Sequence, residues 1–280
     1  MIMKKTFIFV LFLALLLTAC AVPTAVEITG EPVVESEIIN TPTIDLDISA
    51  SEAEEYIDTI IVDDSGNTSI DQEALDEALN AVPAGDLTTV EIVGLAFMRE
   101  EEKLARDVYL TLYDQWNMPV FQNIANSEAT HMDAILTLIE RFGLDDPAVE
   151  NGIGEFTNPD LQALYDQLVA QGSQSLADAL KVGAAIEEID ILDLEEFIGQ
   201  TDKDDIIMVY ENLLKGSRNH LRSFTRILQQ QTGEIYAPQY LSQDAYDAII
   251  SAGIETGGPG SRGGGGQGQG RNGRKGGNTL

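Results

Sequence analysis

The chain has 280 residues, with 47 acidic against 16 basic side chains and a formal net charge of −31. That charge argues against a nucleic-acid binder, because a polyphosphate would be repelled; 44% hydrophobic residues suffice for a real core, and 6% aromatics suit a helical bundle better than a β-sandwich. The single cysteine, Cys20, excludes a disulfide within the chain and a cysteine-based metal site.

Residues 1–20 read as a targeting segment. Lys4 and Lys5 precede an unbroken apolar run from Phe7 to Leu17, which has the length of a signal h-region and is too short to span a bilayer comfortably. The run ends in Leu17-Thr18-Ala19-Cys20, which resembles the lipobox of bacterial lipoproteins. The resemblance implies cleavage before Cys20 and lipidation of the new N-terminus, so the expected localisation is exported and lipid-anchored at the prokaryotic cell surface. Ala21, in place of an aspartate, permits sorting to an outer membrane. An ordinary signal peptide or membrane anchor with an incidental cysteine is the alternative.

Residues 21–87 hold 17 acids and no Lys or Arg, punctuated by Pro23, Pro32, Pro42 and Pro83. This composition predicts an acidic tether, with short helices near Ser51–Ile60 and Asp71–Leu79. Asp63-Asp64-Ser65-Gly66-Asn67 has its glycine at the wrong offset for a calcium loop and lacks the closing glutamate, so a turn is expected there.

Four long amphipathic helices follow. The first starts near Thr88, where Thr88 and Glu91 form a capping box, and its stripe is Leu95, Met98, Glu102, Ala105, Tyr109 and Leu112. The second runs from Pro119 to Phe142 with the stripe Ile124, Glu128, His131, Ile135, Leu138 and Phe142, and Gly143 stops it. A long connection from Leu144 to Ser173 contains a short helix capped by Asn158, with Pro159 at its first position. The third helix covers Ser175–Ile198, with Leu176, Leu180, Gly183, Glu187, Asp190, Leu194 and Phe197 on its stripe. Thr201 and Asp204 are expected to cap the fourth, whose stripe is Ile206, Tyr210, Leu213, Ser217, His220, Phe224 and Ile227. Two short links and one long one predict an all-α, ferritin-like four-helix bundle over residues 88–250, two antiparallel hairpins joined by a crossover. A last short helix fits within 232–254, and residues 251–280 read as a disordered glycine-rich tail.

The chemistry lies on the core stripes. His131 and His220 are the only histidines of the chain. Glu102, Glu128, Glu187 and Asp190 stand with them where apolar residues belong. A buried carboxylate must be paired or coordinate a metal, and four helices turning Glu, Asp and His inward is how a bundle builds a dinuclear site. Four carboxylates would neutralise two divalent ions, with one imidazole for each. This ligand set suits iron or manganese, and zinc is compatible with it. Each element also has a plainer reading. Glu128 and His131 fit an ordinary i, i+3 helix pair, and Glu187 and Asp190 fit the border of a stripe whose core is Ile186 and Ile191.

Glu102-Lys103-Leu104-Ala105-Arg106-Asp107-Val108-Tyr109 is similar to the first-helix signature of rubrerythrins, Glu128-x-x-His131 to their second-helix motif, and Glu187-x-x-Asp190 to their third. The phrases Met98–Arg106, Ile186–Ile191 and Gly216–Leu221 resemble more closely a prokaryotic ferritin-like family known only as a domain of unknown function, over about residues 90–248. The resemblance implies a ferritin-like bundle binding one or two Fe or Mn ions and, by extension, a ferroxidase or a peroxide-linked oxidoreductase. Ser217 stands where ferritin-like enzymes place a glutamate, and no rubredoxin-type cysteine pairs supply a built-in electron donor. The expected partners are metal ions and, through the lipid, a membrane; a homo-oligomer is allowed. The alternative function is a metal-free or non-catalytic helical binding module at the cell surface.

Overall fold

A computed structural model of the chain describes residues 59–63 and 67–256. Its order is β1 (Ile60–Val62), β2 (Thr68–Ile70), α1 (Gln72–Ala81), α2 (Thr89–Trp116), α3 (Pro119–Arg141), α4 (Pro159–Gly172), α5 (Leu176–Ile198), α6 (Asp204–Thr232) and α7 (Gln243–Ser251). The fold is an all-α bundle with one small antiparallel hairpin, in which Ile60 faces Ile70 and Val62 faces Thr68. The targeting segment with Cys20, most of the expected tether and the glycine-rich tail from residue 257 lie outside the described residues. Among the described residues no helix is long and apolar enough to cross a membrane.

The four long helices lie where the apolar stripes place them. α2 begins with the expected capping box: the Glu91 N–H donates to Thr88 Oγ1, and the Thr88 N–H to Glu91 Oε2. It ends at Asn117, whose left-handed backbone (φ 46°) turns the chain within two residues into Pro119 at the start of α3. α2 packs most extensively on α3, and α5 on α6, while α2–α5 and α3–α6 contacts close the four-helix array. The crossover between the pairs contains α4, capped by Asn158 as expected, and α4 packs on α2 and α5. Gly183 lets α5 and α6 approach, since a Cβ there would stand 2.5 Å from the Phe224 ring.

Four expectations are corrected. Residues 59–63 and 67–81, assigned to the tether, fold against the bundle: Ile60, Ile70, Leu75, Ala78 and Leu79 are buried in the common core. The acids that suggested a tether, Glu73, Asp76 and Glu77, sit on the exposed side of α1. Residues 60–62 are strand rather than the end of a helix. At the other end residues 251–256, assigned to the tail, lie against the bundle, where Glu255 pairs with Arg218 and Arg222 of α6. Thr201 does not cap α6 with Asp204. Its hydroxyl accepts from the Lys203 N–H at 3.1 Å and bonds Glu91 Oε1 at 2.6 Å, tying the α5–α6 link to the first turn of α2.

Candidate metal centre

Helical periodicity carries five of the six expected ligands to one place in the bundle. Glu102 comes from α2, Glu128 and His131 from α3, Glu187 from α5 and His220 from α6. They form two groups, Glu102–Glu128–His131 and Glu128–Glu187–His220, with the ligand atoms of each within 4.8 Å of one another. Glu128 belongs to both. His131 Nδ1 lies 2.7 Å from Glu128 Oε2 and 3.3 Å from Glu102 Oε2. His220 Nδ1 lies 2.9 Å from Glu128 Oε1 and 3.5 Å from Glu187 Oε2. The two imidazoles stack, 5.6 Å between centroids. All five side chains are 2% exposed or less.

These contacts are close, yet badly directed. Glu102 Oε1, Glu128 Oε1, both nitrogens of His131 and Nδ1 of His220 are buried with no partner in hydrogen-bond geometry. Buried polar atoms are normally satisfied, and a local cluster of exceptions calls for an explanation. Ligands about 2.1 Å from a shared ion stand up to about 4 Å apart, so the spacing fits a metal with small adjustments. The donor set of three carboxylates and two imidazoles fits iron, manganese or zinc.

The metal-free electrostatics point the same way. Burial pushes Glu102 up to about 7, with the Glu128 charge adding to it and His131 opposing. Burial and the Glu128 charge likewise bring Glu187 to about 7. Burial also works against ionisation of Glu128, but the imidazoliums of His220 and His131 overcome it and hold that carboxyl well below its ordinary value. Burial opposes the charge on His220, and Glu128 and Glu187 reverse this, raising it to about 9. His131 is raised well above its ordinary value in the same way by Glu128 and Glu102. Without metal, protons neutralise the cluster.

Asp190, the sixth expected ligand, is outside both groups. Its Oδ2 is bonded to the Ser217 hydroxyl, and its Oδ1 has no partner. Burial and the neighbouring Glu102 charge hold this carboxyl well above its ordinary value. Ser217 thus takes Asp190 as its partner.

Three contributors were not singled out from sequence. Tyr109, seven residues after Glu102 on the same stripe, donates to Glu187 Oε1 at 2.5 Å and fixes that carboxylate; its stripe position could have revealed it. Glu101 is 3% exposed with both carboxyl oxygens unpartnered, facing Asp193 and Asp190. Burial, then the Asp193 charge, hold it well above its ordinary value. Thr68 of β2 reaches His220 Nε2 at 2.8 Å, a contact between residues 152 apart that no local pattern announces.

The family described as "Uncharacterized protein domain (DUF2202)" matches residues 91–253. Uncharacterized protein MJ0754 of Methanocaldococcus jannaschii is 52% identical over 181 residues, which is 65% of this chain and 97% of that protein. The crystal structure of hypothetical protein MJ0754 from Methanococcus jannaschii DSM 2661 is similar at 54% identity and a TM-score of 0.60, covering 62% of this chain and 99% of that one.

Proposed function

The chain belongs to the DUF2202 family, and we propose that it binds two divalent transition-metal ions, iron or manganese, sharing Glu128. Glu102 and His131 hold one ion, Glu187 and His220 the other. What supports this is the set of buried, convergent and unsatisfied ligand atoms described above. A pair of redox-active ions supplies electron transfer when bound; the chain supplies orientation, through Tyr109 on Glu187, and exclusion of water. With ligands 2% exposed or less, a co-reactant must be about as small as dioxygen or hydrogen peroxide, so the oxidoreductase reading is oxidation of Fe(II) by one of these. Metal analysis after purification without chelator tests the binding: two ions per chain are expected, and none after aerobic and anaerobic preparation would leave a metal-free module. Fe(II) oxidation followed with oxygen and with peroxide separates an enzyme from a metal-holding protein.

We also propose that Cys20 is lipidated and tethers the bundle to a membrane. The lipobox-like Leu17–Cys20 sequence after the apolar run motivates it. Mass spectrometry of the membrane fraction should find a diacylated or triacylated Cys20, and Cys20→Ala should be released; an unmodified cysteine in membrane-bound protein would refute the tether.

A further inference from the structure

Thr68 lies N-terminal to the matched family segment 91–253, yet it is 2% exposed and touches the centre. Its Oγ1 is 2.8 Å from His220 Nε2, while His220 Nδ1 faces Glu128 and Glu187. One ring therefore has a nitrogen on the carboxylates and the other on a hydroxyl. Gly216 makes the approach feasible: a Cβ there would stand 2.6 Å from His131 Cε1 and 3.1 Å from Thr68 Oγ1. The hairpin is held on both sides of the centre. The Ile70 N–H donates to Thr130 Oγ1, one residue before His131, and Asn212 of α6 donates to Thr59 Oγ1 at 2.7 Å. Ile60 and Ile70 anchor it in the core.

We propose that Thr68 is a positioning residue of the metal centre, which fixes the His220 ring so that Nδ1 is the ligand, and that the β1–β2 hairpin is part of the site. The inference rests on the metal-binding reading above and deepens it. An imidazole that binds metal through one nitrogen carries its proton on the other and donates it to an outer partner, which sets tautomer and ring orientation. With Nδ1 on the metal, His220 Nε2–H donates to Thr68 Oγ1. Loss of such an outer partner costs about 10–100-fold in metal affinity. His131 has no corresponding partner on Nε2, so the hydroxyl acts on one of the two ions.

The test uses Zn(II) as probe on the full chain, in wild type, Thr68→Val and Thr68→Ser. Valine keeps the shape and removes the acceptor; serine keeps the hydroxyl. Competition titration should show a 10–100-fold loss in Thr68→Val at one ion, with Thr68→Ser close to wild type. Long-range 1H–15N correlation on histidine-labelled, Zn(II)-loaded wild type should show a protonated Nε2 and a metal-bound Nδ1 on His220. If wild type binds no Zn(II), Mn(II) or Fe(II), the metal-binding reading itself fails. If wild type binds and Thr68→Val binds equally well, or Thr68→Ser is as weak as Thr68→Val, the positioning role is wrong and Thr68 merely packs. Zinc on His220 Nε2 in wild type overturns the proposal without any variant, should Thr68→Val fail to fold.

Discussion

Replacing Glu128 by glutamine should abolish metal stabilisation while leaving a folded bundle. Both oxygens of Glu128 lie close to an imidazole nitrogen, Oε2 at 2.7 Å from His131 and Oε1 at 2.9 Å from His220, and the residue belongs to both ligand groups. Glutamine removes the charge shared by the two ions and turns one acceptor into an N–H donor aimed at a ligand nitrogen. The metal-free variant can still fold, because burial favours neutral imidazoles once their strongest anionic partner is gone. In wild type, metal at a hundred times its dissociation constant stabilises the native state by about 2.7 kcal/mol. For a domain of this size each kcal/mol raises Tm by roughly 2–4 °C, so an increase of about 5–11 °C is expected. The assay is calorimetry of chelator-stripped protein with Mn(II), or Fe(II) under argon, at fixed pH. Glu128→Gln should shift by less than about 2 °C under the same conditions. Equal shifts in both proteins, or none in wild type with any metal, would refute the reasoning from shared carboxylate to dinuclear site.

Two further outcomes follow from the protonation of the metal-free centre. Metal must displace protons from His220, held at about 9, and from Glu102 and Glu187, both near 7. Affinity should therefore fall as pH drops from 8 to 6, by about tenfold or more, with proton release visible as a buffer-dependent binding enthalpy; a pH-independent affinity would contradict the protonated cluster. Glu101 is raised well above its ordinary 4.5, so its buried, protonated form supports folding fully below that value and loses this support as pH rises toward the folded value. Glu101→Gln should gain on wild type by up to about 1.4 kcal/mol per pH unit across that window; a constant gap in denaturant midpoints between pH 5 and 8 would show that Glu101 is not buried as a neutral acid.

The parts of the fold that were legible are those set by local chemistry. The helices α2, α3, α5 and α6 are written in apolar stripes and in Thr88, Pro119 and Gly143, and α4 in its cap Asn158, each of which acts on its own turn. The five inward Glu and His residues that converge were legible because a Glu or His amid an apolar stripe is costly unless it has a use. The helix near Asp71–Leu79 was legible and is α1; the hairpin, and the packing of both against the bundle, were not, because composition averaged over residues 21–87 hides a helix whose acids all lie on one side. Asp190 satisfies the same periodicity as Glu187, yet its carboxylate finds Ser217 first; which inward group takes which partner is decided across helices. Glu101 sits one residue, about 100° of helix turn, from the stripe. It is buried facing Asp193 and Asp190 of α5, which no pattern local to α2 announces.

The run Arg99-Glu100-Glu101-Glu102-Lys103 shows what fixes the candidate centre on its helix. All five charged residues are 7% exposed or less, although unpaired buried charges each cost several kcal/mol. Successive side chains leave a helix about 100° apart, so each needs a separate partner. Arg99 binds Asp146 and the Met132 carbonyl. Glu100 accepts from the backbone N–H groups of Thr157 and Asn158. Lys103 pairs with Asp107 and donates to the carbonyls of Gly152 and Glu155, lying over the Phe156 ring. Glu101 faces α5 and Glu102 the centre. Three of the five therefore clamp residues 146–158 of the crossover onto α2, and together they allow that helix one rotation. A turn of α2 by a single residue would carry Glu101 to the ligand position and break all three clamps at once. The position of Glu102 is thus set by its neighbours in sequence, which is how a rigid element holds a functional side chain in place.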